Sequence, residues 1–86
     1  MELKVYTANY CPYCVRTKAL LSRKGLAFVE VDVTTDQEQR HWLMEQTGQM
    51  TIPQTFLNGQ YIGNNDELHR KEASGELDRL LAEAGA

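Results

Sequence analysis

The sequence predicts an α/β domain with its elements in the order βαβαββα, and three observations carry that prediction. Pro12 directly follows a strand-like run, at a place where the first turn of a helix accepts proline. Asn58-Gly59 divides two short β-prone runs, the pattern of a tight hairpin. The tail then places Leu77, Leu80, Leu81 and Ala84 at i, i+3, i+4 and i+7, which marks an amphipathic closing helix.

The first strand is expected at Leu3 to Thr7. A helix follows from Pro12 to Lys24, rich in the helix formers Arg16, Lys18, Ala19, Leu20 and Leu21, and Gly25 supplies the left-handed residue that ends it. Cys11 thereby falls at the N-cap. Phe28, Val29, Val31 and Val33 mark a second strand within Ala27 to Val33, completing a βαβ unit with a right-handed crossover. Thr35 with Glu38 three residues on reads as a capping box, opening a helix with Arg40, Leu43, Met44 and Thr47 at helical spacing that stops at Gly48. Thr55-Phe56-Leu57 and Gln60-Tyr61-Ile62 are the hairpin strands, and Asn58-Gly59 suits the two positive φ angles of a type I′ turn. From Asp66 the chain carries Leu68, a break at Gly75, and the closing helix.

Eighty-six residues, 42% of them hydrophobic and 24% charged, fit one small domain spanning 1–86, expected to act as a monomer. Nine Lys plus Arg against twelve Asp plus Glu leave a net charge of −3, with the cations scattered singly or in pairs such as Arg23-Lys24, so no nucleic-acid partner is expected. No apolar run approaches the roughly 20 residues that span a bilayer, and Met1 to Tyr6 lacks the apolar core of a signal peptide. The expected setting is the cytoplasm, without a membrane partner.

Both cysteines of the chain lie in Cys11-Pro12-Tyr13-Cys14, where a bridge would close almost no loop and so add little stability. At i and i+3 across a helix start, the two sulfurs can exchange between dithiol and disulfide with little backbone movement, the mark of a redox pair. Half of a metal site and a pair of core cysteines are the competing readings. A metal needs further ligands, however, and His41 and His69 stand alone on helices, expected to face solvent. Within the pair the roles differ: at the positive end of the helix the Cys11 thiolate is favoured, so Cys11 attacks and Cys14, one turn in, resolves.

Thr51-Ile52-Pro53 ahead of a strand suits either a trans turn proline or a cis peptide. In the second case Ile52 could offer its backbone to an extended peptide if Pro53 packs beside Cys11. Gly63-Asn64-Asn65-Asp66, joining a strand to a helix, has two equal readings: a cradle of free N–H groups for a zwitterionic ligand, or ordinary N-capping by Asn64 or Asn65.

Cys11-Pro12-Tyr13-Cys14, the stretch Thr51-Ile52-Pro53-Gln54-Thr55-Phe56, Asn58 to Gly63, and Asp66-Glu67-Leu68, taken in that order, closely resemble the dithiol glutaredoxins over nearly the whole chain. The resemblance implies a thioredoxin-like fold, a central mixed four-stranded sheet flanked by helices, with cis Pro53. It also implies glutathione as co-substrate, no tightly bound cofactor or metal, and client proteins carrying disulfides or glutathione adducts. By the same resemblance Cys11 is the nucleophile and Cys14 the resolving thiol. Tyr13 lines the glutathione site, with Thr51, Ile52 and Pro53 at its cysteinyl unit. Arg40 reaches its glycine carboxylate, and Asn65 and Asp66 hold the γ-glutamyl end. The sequence departs from the family pattern at Ala8, where many relatives have lysine, and at Asn64, where they have a second glycine. Two other activities fit such a dithiol: an iron–sulfur carrier using Cys11 with glutathione, and a thioredoxin-like reductant recharged by a flavin reductase.

Overall fold

A computed structural model describes residues 1–85. Its elements are β1 (Leu3–Thr7), α1 (Pro12–Arg23), β2 (Val29–Asp32), α2 (Gln37–Thr47), β3 (Gln54–Leu57), β4 (Gln60–Gly63), α3 (Asn65–Ser74) and α4 (Glu76–Glu83). The strands form one sheet in the order β2-β1-β3-β4. β1 runs parallel to β2 and antiparallel to β3, and β3 is antiparallel to β4. The α1 crossover returns β2 parallel to β1, the α2 connection brings β3 back antiparallel on the other side of β1, and the two-residue loop returns β4 antiparallel to β3.

Alternation along the central strands divides the core into two layers. Leu3 and Val5 of β1, with Leu57 and Ile62, pack against Leu20 and Leu21 of α1, Leu68 of α3, and Leu77 and Leu81 of α4. On the other face Tyr6 and Phe56 meet Val33 and Leu43 of α2. Trp42 of α2 covers this second layer from the rim, its ring 5.7 Å from Tyr6 and 5.6 Å from Phe56.

The local signals are largely realised. Asn58 and Gly59 have φ of 50° and 81°, as a type I′ turn demands. Asn58 also ties the turn to the chain start, its Oδ1 accepting from Glu2 N at 2.7 Å and its own N–H donating to Glu2 O at 2.8 Å. Gly75 (φ 86°) divides the C-terminal tail into two helices.

Three expectations are corrected. The cap of α2 is Asp36 rather than Thr35, its carboxylate accepting from Gln39 N at 3.0 Å; a neighbouring short acceptor competed for the same role and suits the positive helix end better. Of the residues placed at helical spacing on α2, Arg40, Leu43, Met44 and Thr47, only Leu43 is buried while Met44 is exposed, and Trp42 supplies the further contact. The second strand is shorter than expected because its neighbours Ala27 and Phe28 lie outside the ladder, which pairs only Val29 to Asp32 with β1.

Candidate active site

Pro12 opens α1, and Cys11 caps it: the Cys14 N–H donates to the Cys11 sulfur at 3.2 Å, while Val15 N–H donates to Cys11 O. A side-chain acceptor at the cap satisfies a donor that the first turn would otherwise leave unpaired. Here that acceptor is a thiol sulfur, held against the helix end and partly open to solvent. Cys14, one turn on, is 1% exposed. Burial first, and then hydrogen bonding to Cys11, push its thiol from an ordinary 9.0 up to about 12. Neither cysteine is in a disulfide.

Ile52-Pro53 is a cis peptide, and Ile52 O lies 3.9 Å from the Cys11 sulfur. Gln54 fixes the approach to this turn, its Nε2 donating to Gln49 O at 2.8 Å and to Thr51 O at 2.9 Å. The turn thus sits on the Cys11 side of the sheet, with Pro53 buried and Ile52 half-buried.

A cavity of about 310 Å³ opens beside this turn, lined by Tyr13, Thr51, Ile52, Pro53, Asn64, Asn65 and Asp66. Tyr13 is half exposed, and the Arg16 guanidinium stands over its ring at 5.5 Å. The opposite wall is the start of α3. Asn64 caps that helix through Glu67 N at 2.9 Å, and the Glu67 carboxylate returns the bond to Asn64 N at 2.9 Å. Asn65 turns its side chain inward, where its Oδ1 accepts from Thr17 Oγ1 of α1 at 3.0 Å. Asp66 stays exposed on the first turn. Capping and cavity formation are therefore not alternatives at this junction, because the same residues do both.

Six of the expected glutathione positions, Tyr13, Thr51, Ile52, Pro53, Asn65 and Asp66, are thus gathered around one cavity. Arg40 is not among its lining; it lies half-buried on α2, with its Nε–H donating to Val33 O at 2.9 Å. Asn64 lines the cavity without having been singled out as a contact. Its backbone is extended (φ −83°), so asparagine replaces glycine there without needing the left-handed region. His41 is exposed as expected, whereas His69 is half-buried with Nδ1 2.9 Å from Asn65 O. No local signal foretells that Tyr10, just before Cys11, holds a positive φ of 60° with its ring wholly exposed.

A mixed four-stranded sheet with a dithiol at the start of the helix after its central strand, beside a cis-proline turn, defines a thiol–disulfide oxidoreductase of thioredoxin-like fold. A family model described as glutaredoxin matches residues 3–62. Glutaredoxin 3 of Escherichia coli (strain K12) is 42% identical over 80 residues, covering 93% of this chain and 96% of its own. Glutaredoxin-C2 of Arabidopsis thaliana is 45% identical over 85 residues, covering 95% and 77%. The crystal structure of a buckwheat glutaredoxin–glutathione complex superposes with a TM-score of 0.89 at 32% identity, covering 98% of this chain and 79% of that one. The chain belongs to the glutaredoxin family. Its activity is glutathione-dependent thiol–disulfide oxidoreduction.

Proposed function

We propose that Cys11 is the nucleophile, that Cys14 is the resolving thiol, and that the cavity between Tyr13, the Thr51-Ile52-Pro53 turn and the start of α3 receives glutathione. The observation that carries this reading is the approach of the sulfur of half-buried Cys11 to within 3.9 Å of the carbonyl oxygen of Ile52, a residue that lines that cavity. Backbone groups at Ile52 suit an extended cysteinyl unit, and free N–H groups at the α3 start suit a carboxylate. Arg40 serves the glycine carboxylate from outside the cavity lining, with the guanidinium donors that Val33 leaves free.

The principal substrates are protein–glutathione mixed disulfides. The Cys11 sulfur attacks the glutathione sulfur, the protein thiol leaves, and a second glutathione then displaces oxidised glutathione from Cys11. With a protein disulfide, Cys14 attacks the mixed disulfide formed on Cys11, and two glutathiones reduce the resulting internal bridge. The clients are glutathionylated or disulfide-containing proteins of the cytoplasm. Residues 1–86 act as a single-domain monomer that needs no bound cofactor or metal. The scattered cations and net charge of −3 support a reading without nucleic acid. No helix among the described residues is long and apolar enough to cross a membrane.

The two thiols separate by substrate. Cys11→Ser should abolish turnover, whereas Cys14→Ser should retain reduction of a glutathionylated peptide and lose reduction of a protein disulfide. Steady-state rates coupled to glutathione reductase read both activities. Equal loss from either substitution with the glutathionylated peptide would overturn the assignment.

A further inference from the structure

A second cavity, of about 360 Å³, shares no lining residue with the first. Ala8, Cys11, Cys14, Lys18 and Glu30 are among the residues around it. Lys18 is the one cation in this lining, four residues after Cys14 and therefore on the same face of α1. Its ammonium is fixed rather than free: Nζ lies 2.9 Å from Glu30 Oε2, and Thr7 Oγ1 donates to that same oxygen at 2.7 Å. Thr7 is buried in the central strand, so the three side chains brace the cation between β1, β2 and α1.

The resolving step creates a demand that the first step does not. Once Cys11 is bonded to a client sulfur, Cys14 must lose its proton although it is buried. The ionisable side chains that line the cavity with it are Tyr10, Cys11, Lys18 and Glu30, the Ala8 backbone hydrogen-bonds to it, and the Asp32 carboxylate acts on Glu30. Cys11 and burial oppose ionisation; the Ala8 hydrogen bond and the Lys18 charge favour it. Glu30 is no base for that proton, because Lys18 first and Thr7 second hold its carboxyl below the ordinary range. Its role is to hold the lysine.

We infer that Lys18, braced by Glu30 and Thr7, is a positioning residue for the resolving step, its ammonium stabilising the Cys14 thiolate as that sulfur attacks the mixed disulfide on Cys11. The inference rests on Cys14 being the resolving thiol. In the step, Cys14 gives its proton to the solvent, and its sulfur forms the bond to Cys11 Sγ. The bond from Cys11 to the client sulfur breaks, and the client leaves with the electron pair. The client is reduced and the dithiol oxidised by the same two electrons.

The reduced protein is mixed with one equivalent of dithiobis(nitrobenzoate) and followed by stopped flow across pH. The first thionitrobenzoate is released when Cys11 attacks, and the second when Cys14 closes the internal disulfide. Lys18→Met should slow the second release about three- to tenfold and move its pH profile upward, while leaving the first unchanged. Lys18→Arg should restore most of the rate. A second release with unaltered rate and pH profile in Lys18→Met, or equal slowing of both releases, overturns the inference. Cys14→Ser separates the two levels. If it still gives a second release, the resolving role fails and this inference with it; if it abolishes that release while Lys18→Met does not slow it, only the role of Lys18 fails.

Discussion

Gly63 joins the hairpin to the wall of the candidate glutathione cavity, and its φ of 143° lies where an L side chain is strained. A Cβ added there would stand 2.8 Å from the Cβ of Glu67, the residue that completes the capping box with Asn64. Gly63→Ala should therefore destabilise the fold by about 1–3 kcal/mol and disturb the start of α3 together with it. Urea denaturation checks the first effect and glutathione affinity the second. An alanine variant as stable as the parent would show that the junction relaxes freely. Tyr61 is tied to the same place, its hydroxyl donating to Glu67 Oε1 at 3.3 Å.

Beyond their apolar packing, α1, α3 and α4 meet at one cation. Lys24, the C-cap of α1, pairs with Glu72 of α3 at 2.8 Å and with Asp78 of α4. The hydrogen bonds it donates, to Asp78 first and then to Glu72, raise its pKa above the ordinary 10.5, and its side chain is only 15% exposed. An exposed pair is worth about 0–1 kcal/mol, and this one is shielded and serves two partners. Lys24→Met should accordingly cost about 1 kcal/mol in the urea midpoint and loosen α4 more than the sheet. Hydrogen exchange reads the difference: faster exchange confined to α3 and α4 is expected, and uniform acceleration across the sheet would contradict it.

The whole molecule should be most stable between the acidic and alkaline limits set by its shifted groups. Glu30, held low by Lys18 and then Thr7, contributes stability that is present above 4.5 and lost as pH falls through its lower folded value. Asp32, lowered by the Thr34 side chain first, behaves alike below 3.8. On the alkaline side Cys14 is raised from 9.0 to about 12 and Tyr61 from 10.0 to about 12, both chiefly by burial. Raised groups contribute fully below their unfolded values, so the loss begins near 9.0 with Cys14 and deepens as Tyr61 and Lys24 join. Urea midpoints of the reduced protein should be flat from about pH 5 to 8 and fall above 9. Cys14→Ser should lack the earliest part of that fall; an identical alkaline profile in the variant would remove Cys14 from the account. A single cooperative transition in these titrations is expected if residues 1–86 fold as one domain.

Where local chemistry decides, the amino-acid order was sufficient. Pro12 at a helix start, Asn58-Gly59 in a hairpin and Gly75 as a break act through the φ angles those residues permit, within a few positions of chain. The cysteine pair needed no more than its spacing and its place at the start of α1. Capping was less legible at α2, since Thr35 and Asp36 are both good acceptors and only the path of the chain chooses between them. The candidate site was assembled from family resemblance at positions up to 53 residues apart, Tyr13 to Asp66, and the sheet is what brings them to one cavity. Burial and register were beyond the sequence for the same reason. Nothing local to Cys14 and Lys18 says that the strand pairing Thr7 with Asp32 sets Glu30 against that lysine, or that Trp42 rather than Met44 closes the second core layer. Torsional preferences belong to single residues and can be read one at a time; a buried thiol or a braced cation is a property of distant segments in contact, and only the tertiary structure decides it.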